Sequence, residues 1–148
     1  MEIRELHTLS ARQVEDVLAL MVELDPEIEV TADMLHRTVT STSSHFFAAI
    51  AGDGRIVGCA TLCVYDSPTG RKASVEDVVV RSDHRGQGLG RMLMEQLIDF
   101  ARRELGRVDL HLTSRPHRVA ANGLYASLGF KRRETNAYVM KIYSSGRG

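Results

Sequence analysis

A chain of 148 residues, 43% hydrophobic and 26% charged, has the size and make-up of a single soluble domain with one ordinary core. Nineteen basic residues against nineteen acidic ones leave no overall field to draw the chain to nucleic acid or to a charged membrane surface, so any polyanion has to be bound locally. No apolar run approaches the ~20 residues of a bilayer span, and MEIRELHTLS has neither the basic start nor the apolar centre of a secretory signal, which predicts a cytoplasmic protein.

A short strand, Ile3 to Leu6, opens the chain. Ser10 then stands three residues before Gln13, and apolar positions recur at Val14, Val17, Leu18 and Met21, which reads as a capping box followed by an amphipathic helix. Asp25-Pro26 ends that helix, because the residue before a proline is disfavoured in the helical region. A second short helix is predicted after Thr31, carrying Met34, Leu35 and Val39, with a serine-rich loop from Ser41 to Ser44. FFAAIA and IVGCATLCVY follow, joined by Gly52-Asp53-Gly54-Arg55 as an antiparallel hairpin. Cys59 and Cys63 sit in this apolar run with no second pair and no histidine cluster, so they read as buried thiols, with neither a metal site nor a disulfide framework.

After a loop at Asp66 to Gly70, the strand Ala73 to Val80 feeds a turn with three alternating glycines. The helix beyond it shows Leu89, Leu93, Leu97, Phe100 and Ala101 on one face, Arg102 and Arg103 in its last turn, and Gly106 as its stop. Val108 to Thr113 alternates as a strand, Arg118 to Leu128 forms a further helix stopped by Gly129, and Phe130 to Arg133 and Tyr138 to Ile142 are predicted as two closing strands. The fold class is therefore α/β, a mixed and mostly antiparallel sheet of about six or seven strands flanked by about four helices. One domain is predicted over residues 1–143, with 144–148 as a disordered tail.

VEDVVVRSDHRGQGLGRML, residues 75–93, is the most informative stretch. A strand that ends in glycines and runs into a helix N-terminus presents unpaired amides at the positive end of a helix dipole, and such a place binds phosphate. Arg85 and Arg91 flank the turn and add charge-assisted donors, so a pyrophosphate suits it better than a carboxylate. A Walker A loop needs a lysine and a hydroxyl after its last glycine, and the dinucleotide fingerprint needs G-x-x-G spacing in the first βα unit. Gly86, Gly88 and Gly90 satisfy neither pattern.

Arg85-x-x-Gly88-x-Gly90 after Val78-Val79-Val80 resembles motif A of the GNAT superfamily of N-acetyltransferases, and Asn122-Gly-Leu-Tyr125-Ala-Ser-Leu-Gly129-Phe130 resembles the second signature of that family. The likeness covers about residues 46–142. It implies acetyl-CoA as cosubstrate and no metal, with the pyrophosphate on the amides of Gly86, Gln87, Gly88, Leu89, Gly90 and Arg91, and Arg85 opening the motif. It also implies that the pantetheine arm adds like a strand to the backbone of Val78 and Val80, beside a sheet splayed at that strand. Tyr125 matches the family tyrosine that hydrogen-bonds the CoA sulfur, and Asn122 is placed to contact pantetheine, although this chain has Arg118 where many relatives carry an asparagine.

Glu76 and Asp77 interrupt the apolar strand, where acids are costly unless water, a partner or a task meets them. Strict alternation puts Glu76 on the side of Val78 and Val80 and Asp77 on the other, and a bulge would reverse this. The E-D strand resembles that of polyamine and glucosamine-phosphate N-acetyltransferases, which implies Glu76 as a base or as a water-holding residue. The need for one is quantitative. An amine with a pKa of ~10.4 is uncharged at pH 7 about once in 10³·⁴, a cost of ~4.6 kcal/mol. The resemblance places the acceptor near Glu23 to Glu29, which holds four acids in seven residues and points to a small cationic amine or a peptide amine. A homodimer is a further implication of the family. The rival reading is a non-catalytic acyl-CoA-binding or sensing domain, which would need neither Glu76 nor Tyr125.

Overall fold

Ser10 starts helix α1 (Ala11–Leu24) in the way its spacing predicts: its hydroxyl accepts from the Gln13 amide at 3.2 Å, and the Gln13 side chain accepts from the Ser10 amide at 2.9 Å. Asp25 closes the helix in an extended conformation before Pro26. The computed structural model describes residues 1–144. Helix α2 (Ala32–Thr40) follows, capped by the Thr31 hydroxyl on the Met34 amide, and it buries Leu35 and Val39 while Met34 stays exposed.

Five strands form one sheet in the order β1 (Glu2–Leu6), β2 (Ser44–Ile50), β3 (Ile56–Ser67), β4 (Gly70–Val80), β5 (Asp109–His111). The first four pair antiparallel, and β5 joins β4 in parallel. The hairpins are tighter than the sequence suggests. Ser44 belongs to β2, and only Pro68 and Thr69 separate β3 from β4, so the expected loop at Asp66 to Gly70 is a two-residue turn. After a single 3₁₀ turn (Ser82–His84) and then the glycine turn comes helix α3 (Leu89–Phe100), extended by a π-helical turn (Ala101–Leu105) that stops at Gly106. Helix α4 (Val119–Ser127) completes the regular structure among the described residues.

Among the described residues the sheet has five strands where six or seven were expected. Phe130 to Arg133 and Tyr138 to Ile142 form none, and β5 is three residues long where Val108 to Thr113 alternates for six. Alternation expresses a preference, and a strand exists only where a ladder partner and a buried face meet it. Tyr138, Val139, Met140 and Ile142 are all exposed. The chain falls into two compact units, Met1–Thr113 with the sheet and α1 to α3, and Ser114–Gly148 with α4. Ser144 carries no regular structure, and residues 145–148 of the tail expected to be disordered lie outside the described residues.

Within the first unit the sheet is covered on both faces. One face brings Phe46, Ala48, Cys59 and Val79 into a common core with Val17 and Leu20 of α1 and Leu35 and Val39 of α2. The other face carries α3, where Phe100 meets Phe47 with ring centroids 5.6 Å apart and Leu93 comes within 3.3 Å of where a Cβ on Gly58 would stand. Each fully buried Leu, Ile or Val is worth roughly 1.5–3 kcal/mol, so both layers contribute to holding the sheet in place. The first layer has one buried charge. Asp16 on α1 accepts from the Ile56 amide at 3.0 Å and from Arg55 Nε at 2.7 Å, with a second contact to Arg55 Nη2, and it ties the helix to the start of β3. Burial pushes the Asp16 carboxyl up, but the Arg55 and Ile56 hydrogen bonds and the Arg55 charge outweigh it and hold the group below its ordinary value.

Candidate active site

Strand β4 is where the sequence placed its acids, and it is irregular there. The register passes from Thr61 opposite Glu76 to Cys59 opposite Val79, so Asp77 and Val78 together face Ala60 alone. This is a β-bulge, and Asp77 occupies it with φ 52°, a left-handed conformation rare outside glycine. The bulge reverses the side-chain assignment read from strict alternation. Glu76 lies with Thr61 and Val79 on the α1–α2 face, whereas Val80 points to α3, where its Cγ2 is 3.5 Å from the Gly58 Cβ position. Glu76 therefore parts company with Val78 and Val80.

The strand also loses a neighbour at this point. Strand β5 pairs with Lys72, Ala73 and Ser74 and no further, so beyond Ser74 no strand among the described residues pairs with β4 on that side. The Arg81 amide donates to the Val57 carbonyl at 2.8 Å, and alternation then turns the Val80 and Val78 backbone groups away from β3, toward this open edge. An opened sheet beside Val78 and Val80 is what an added, strand-like ligand requires.

The open edge leads directly into the glycine turn. Gly86 and Gly88 both take φ 80°, and a Cβ on either would meet nothing within 4 Å, so the side chains are absent for backbone reasons and the space above them is clear. Gly88 is the N-cap of α3, and no side chain caps the helix. The helix has no partner of its own for the Leu89 and Gly90 amides at its positive end, a fit for an anion with several oxygens. Gln87 lies between the two left-handed glycines. Arg91 lies in the first turn of α3 and stands 3.7 Å from Glu95.

Arg85 has structural partners as well. Its Nε donates to the Val80 carbonyl at 3.0 Å, and Nη2 lies 3.7 Å from Glu23, whose carboxylate also accepts from the Ser82 amide at 3.0 Å. Glu23 thus fastens the end of α1 to the segment entering the glycine turn. Nothing local in the sequence announces a contact across 59 residues. Asp25 is likewise engaged, accepting from the Glu27 amide at 3.0 Å. Two of the four acids expected to face an acceptor therefore have jobs within the fold, which leaves Glu27 and Glu29.

Around Glu76 the α1–α2 face is polar. The Ser74 hydroxyl donates to Glu76 Oε1 at 2.6 Å, and Ser44 and Cys63 lie 3.8 Å apart in the neighbouring strands. Desolvation raises the Asp77 carboxyl, and the adjacent Glu76 charge raises it further. Burial pushes the Cys59 thiol up to about 12, with the Asp77 charge adding to it. Cys63 moves the same way, by burial first and then by the charges of Glu76 and Asp77, against an opposing hydrogen bond from Ser44. Both thiols stay protonated at neutral pH.

Tyr125 and Asn122 belong to the second unit. Tyr125 packs edge-on against Phe130 with centroids 6.1 Å apart, and burial raises its phenol while Arg118 pulls it back in part. Its proton is held throughout the neutral range. Asn122 Nδ2 donates to the Arg115 carbonyl at 3.0 Å, so its amide secures the turn before α4. Among the described residues, no group of three or more His, Cys, Asp or Glu is placed to hold a metal ion.

Comparison with known proteins agrees with the geometry. The model of the acetyltransferase (GNAT) family matches residues 5–130. The chain is 36% identical over 103 residues to N-acetyltransferase 8 of Rattus norvegicus, covering 68% of this chain and 46% of that protein. It is 34% identical over 97 residues to the N-alpha-acetyltransferase RimI of Mycobacterium tuberculosis, covering 66% of this chain and 58% of that one. A solved acetyltransferase of Trypanosoma brucei superposes with a TM-score of 0.72 at 26% identity, over 95% of this chain and 99% of that one. The chain spans about half the length of the curated mammalian relatives it matches. The family match over residues 5–130, with a sheet that loses its strand partner beside the left-handed glycine turn, shows that the chain belongs to the GNAT family of acetyltransferases.

Proposed function

We propose that the chain transfers an acetyl group from acetyl-CoA to a primary amine by direct attack. Acetyl-CoA supplies the activated acyl group. The observation that carries this reading is the continuous path along β4, from an edge left open after Ser74, past Val78 and Val80, to the left-handed glycines and the uncapped start of α3. The amides from Gly86 to Arg91 hold the pyrophosphate, and the Val78 and Val80 backbone takes the pantetheine arm as an added strand. Arg85 opens the turn, and Asn122 is assigned to the pantetheine by its motif.

Glu76 is the base. As the amine nitrogen bonds to the acetyl carbon and the carbon–sulfur bond breaks, Glu76 takes the proton that nitrogen sheds, directly or through one water. Its place on the α1–α2 face puts it on the side opposite α3. The Val78 to Val80 amides steady the carbonyl oxygen as it gains charge. The Tyr125 hydroxyl donates to the departing sulfur. Full proton transfer from a phenol near pKa 10 to a thiolate near 8.5 is uphill by ~2 kcal/mol, and burial of Tyr125 adds to that, so the phenol acts by hydrogen bonding.

The acceptor is a small cationic amine or a peptide amine. Glu27, Glu29, Glu76 and Asp77 favour positive charge, and the RimI relative is named as an N-alpha-acetyltransferase. A screen of spermidine, kanamycin, glucosamine 6-phosphate and an alanyl peptide for thiol release from acetyl-CoA separates these classes. Preference for the phosphorylated sugar would overturn the cationic reading, and CoA binding without turnover on any amine would favour a sensing domain.

A further inference from the structure

We infer that Ser74 is a positioning residue for the Glu76 carboxylate, fixing one of its oxygens so that the other faces the amine; this rests on Glu76 being the base. The register places both residues on one face of β4, since Ser74 opposes Cys63 and Glu76 opposes Thr61, and both precede the bulge that reverses the alternation. The Ser74 hydroxyl reaches Glu76 Oε1 at 2.6 Å, the short length of a charge-assisted O–H···O⁻ bond.

The backbone under that hydroxyl is the most firmly held point of the strand end. Ser74 is paired on both sides, with Cys63 of β3 and with His111 of β5, and it is the last residue of β4 to have a partner on β5. Glu76 comes two residues later, where β5 no longer pairs and the chain is about to enter a left-handed residue. Asp77 lies beside it with a second carboxyl that the protein desolvates. Left alone there, a glutamate on a strand has three side-chain torsions to sample and a like charge to avoid. A hydroxyl anchored in the paired part of the sheet removes that freedom and leaves Oε2 as the proton acceptor, the pre-organisation that an acid–base group requires. Ser44 and Cys63 continue the same row across β2 and β3, so the acceptor side of Glu76 is lined by small polar groups.

A double-mutant cycle tests this. Thiol release from acetyl-CoA is followed with spermidine and with an alanyl peptide, and with water as acceptor should neither amine react, for the parent, Ser74→Ala, Ser74→Thr, Glu76→Gln and the Ser74→Ala/Glu76→Gln pair. Ser74→Ala should lower kcat about 10-fold with little change in the KM for acetyl-CoA, and Ser74→Thr should restore most of it. In the Glu76→Gln background the Ser74 substitution should have almost no further effect, because the two act as a unit. An undiminished Ser74→Ala rate, or a loss that multiplies in full with that of Glu76→Gln, would overturn the inference while leaving the base assignment standing. An unaffected Glu76→Gln rate would overturn the base assignment itself, and with it this role for Ser74. Thermal unfolding of each variant shows whether a lost rate reflects a lost fold.

Discussion

Two side chains are asked for chemistry, and each predicts its own signature. On the proposed mechanism, replacing Tyr125 with Phe removes one hydrogen bond to a sulfur that gains charge only as the reaction proceeds. Steady-state kinetics should show kcat down by about 10- to 100-fold while acetyl-CoA affinity hardly moves, as expected for a charge-assisted bond worth ~1.5–3 kcal/mol. Glu76→Gln should lower the rate at pH 7 by about 100-fold or more and recover in part at high pH, where the amine has shed its proton unaided. A pH–rate profile that simply shifts down without recovery would assign the proton to another group. The third residue-scale expectation concerns Asp16. Its carboxyl is held below its unfolded value of ~3.9, so its contribution to stability is fully present above about pH 4 and is lost as pH falls through the folded value. Asp16→Asn should therefore destabilise the fold by about 1–3 kcal/mol at pH 7, with a shallower loss below pH 4 than the parent in acid-unfolding curves.

At the scale of the element, local chemistry was legible wherever it was self-contained. The Ser10–Gln13 box, the stop at Pro26, the hairpin at Gly52 to Arg55 and the glycine turn before α3 each depend on residues within a few positions of one another, and each lies where the sequence places it. The misreadings are of a different kind. Glu76 was assigned to the side of Val78 because alternation is the default, yet Asp77 takes a left-handed conformation that no propensity demands; the bulge is imposed by the pairing of β3 with β4. Glu23 read as a free acid because its partners, Ser82 and Arg85, come from a distant part of the chain. The turn itself predicts a sharp result. Gly88→Ala puts an L residue at φ 80°, which costs roughly 1–2 kcal/mol, and points its methyl into the clear space above the turn. Acetyl-CoA affinity measured by calorimetry should fall at least about 10-fold, while the overall fold survives.

At the scale of the molecule, a sheet packed on both faces leaves β4 without a strand partner on one side beyond Ser74 among the described residues, and the proposed chemistry is placed along that edge. Among the described residues no helix is long and apolar enough to cross a membrane. The matched curated relatives are about twice as long as the matched region, so partners and assembly belong to the proposals that solution measurements decide. Binding at the β4 edge couples to folding by mass action. Acetyl-CoA at about 100 times its dissociation constant should raise the unfolding free energy by about 2.7 kcal/mol, whereas ATP or NAD at equal concentration should not.

The unpaired run after Ser74 carries a hazard of its own. A valine-rich strand with no ladder partner on one side is a template on which another molecule's backbone can dock, the first step of sheet-to-sheet clumping. Glu76, Asp77, Arg81 and Asp83 stand within or just beyond it like gatekeepers. On the proposed reading, acetyl-CoA laid along the run doubles as a molecular cover: light scattering on storage should grow fastest in the ligand-free protein, and faster still after Glu76 and Asp77 are both neutralised.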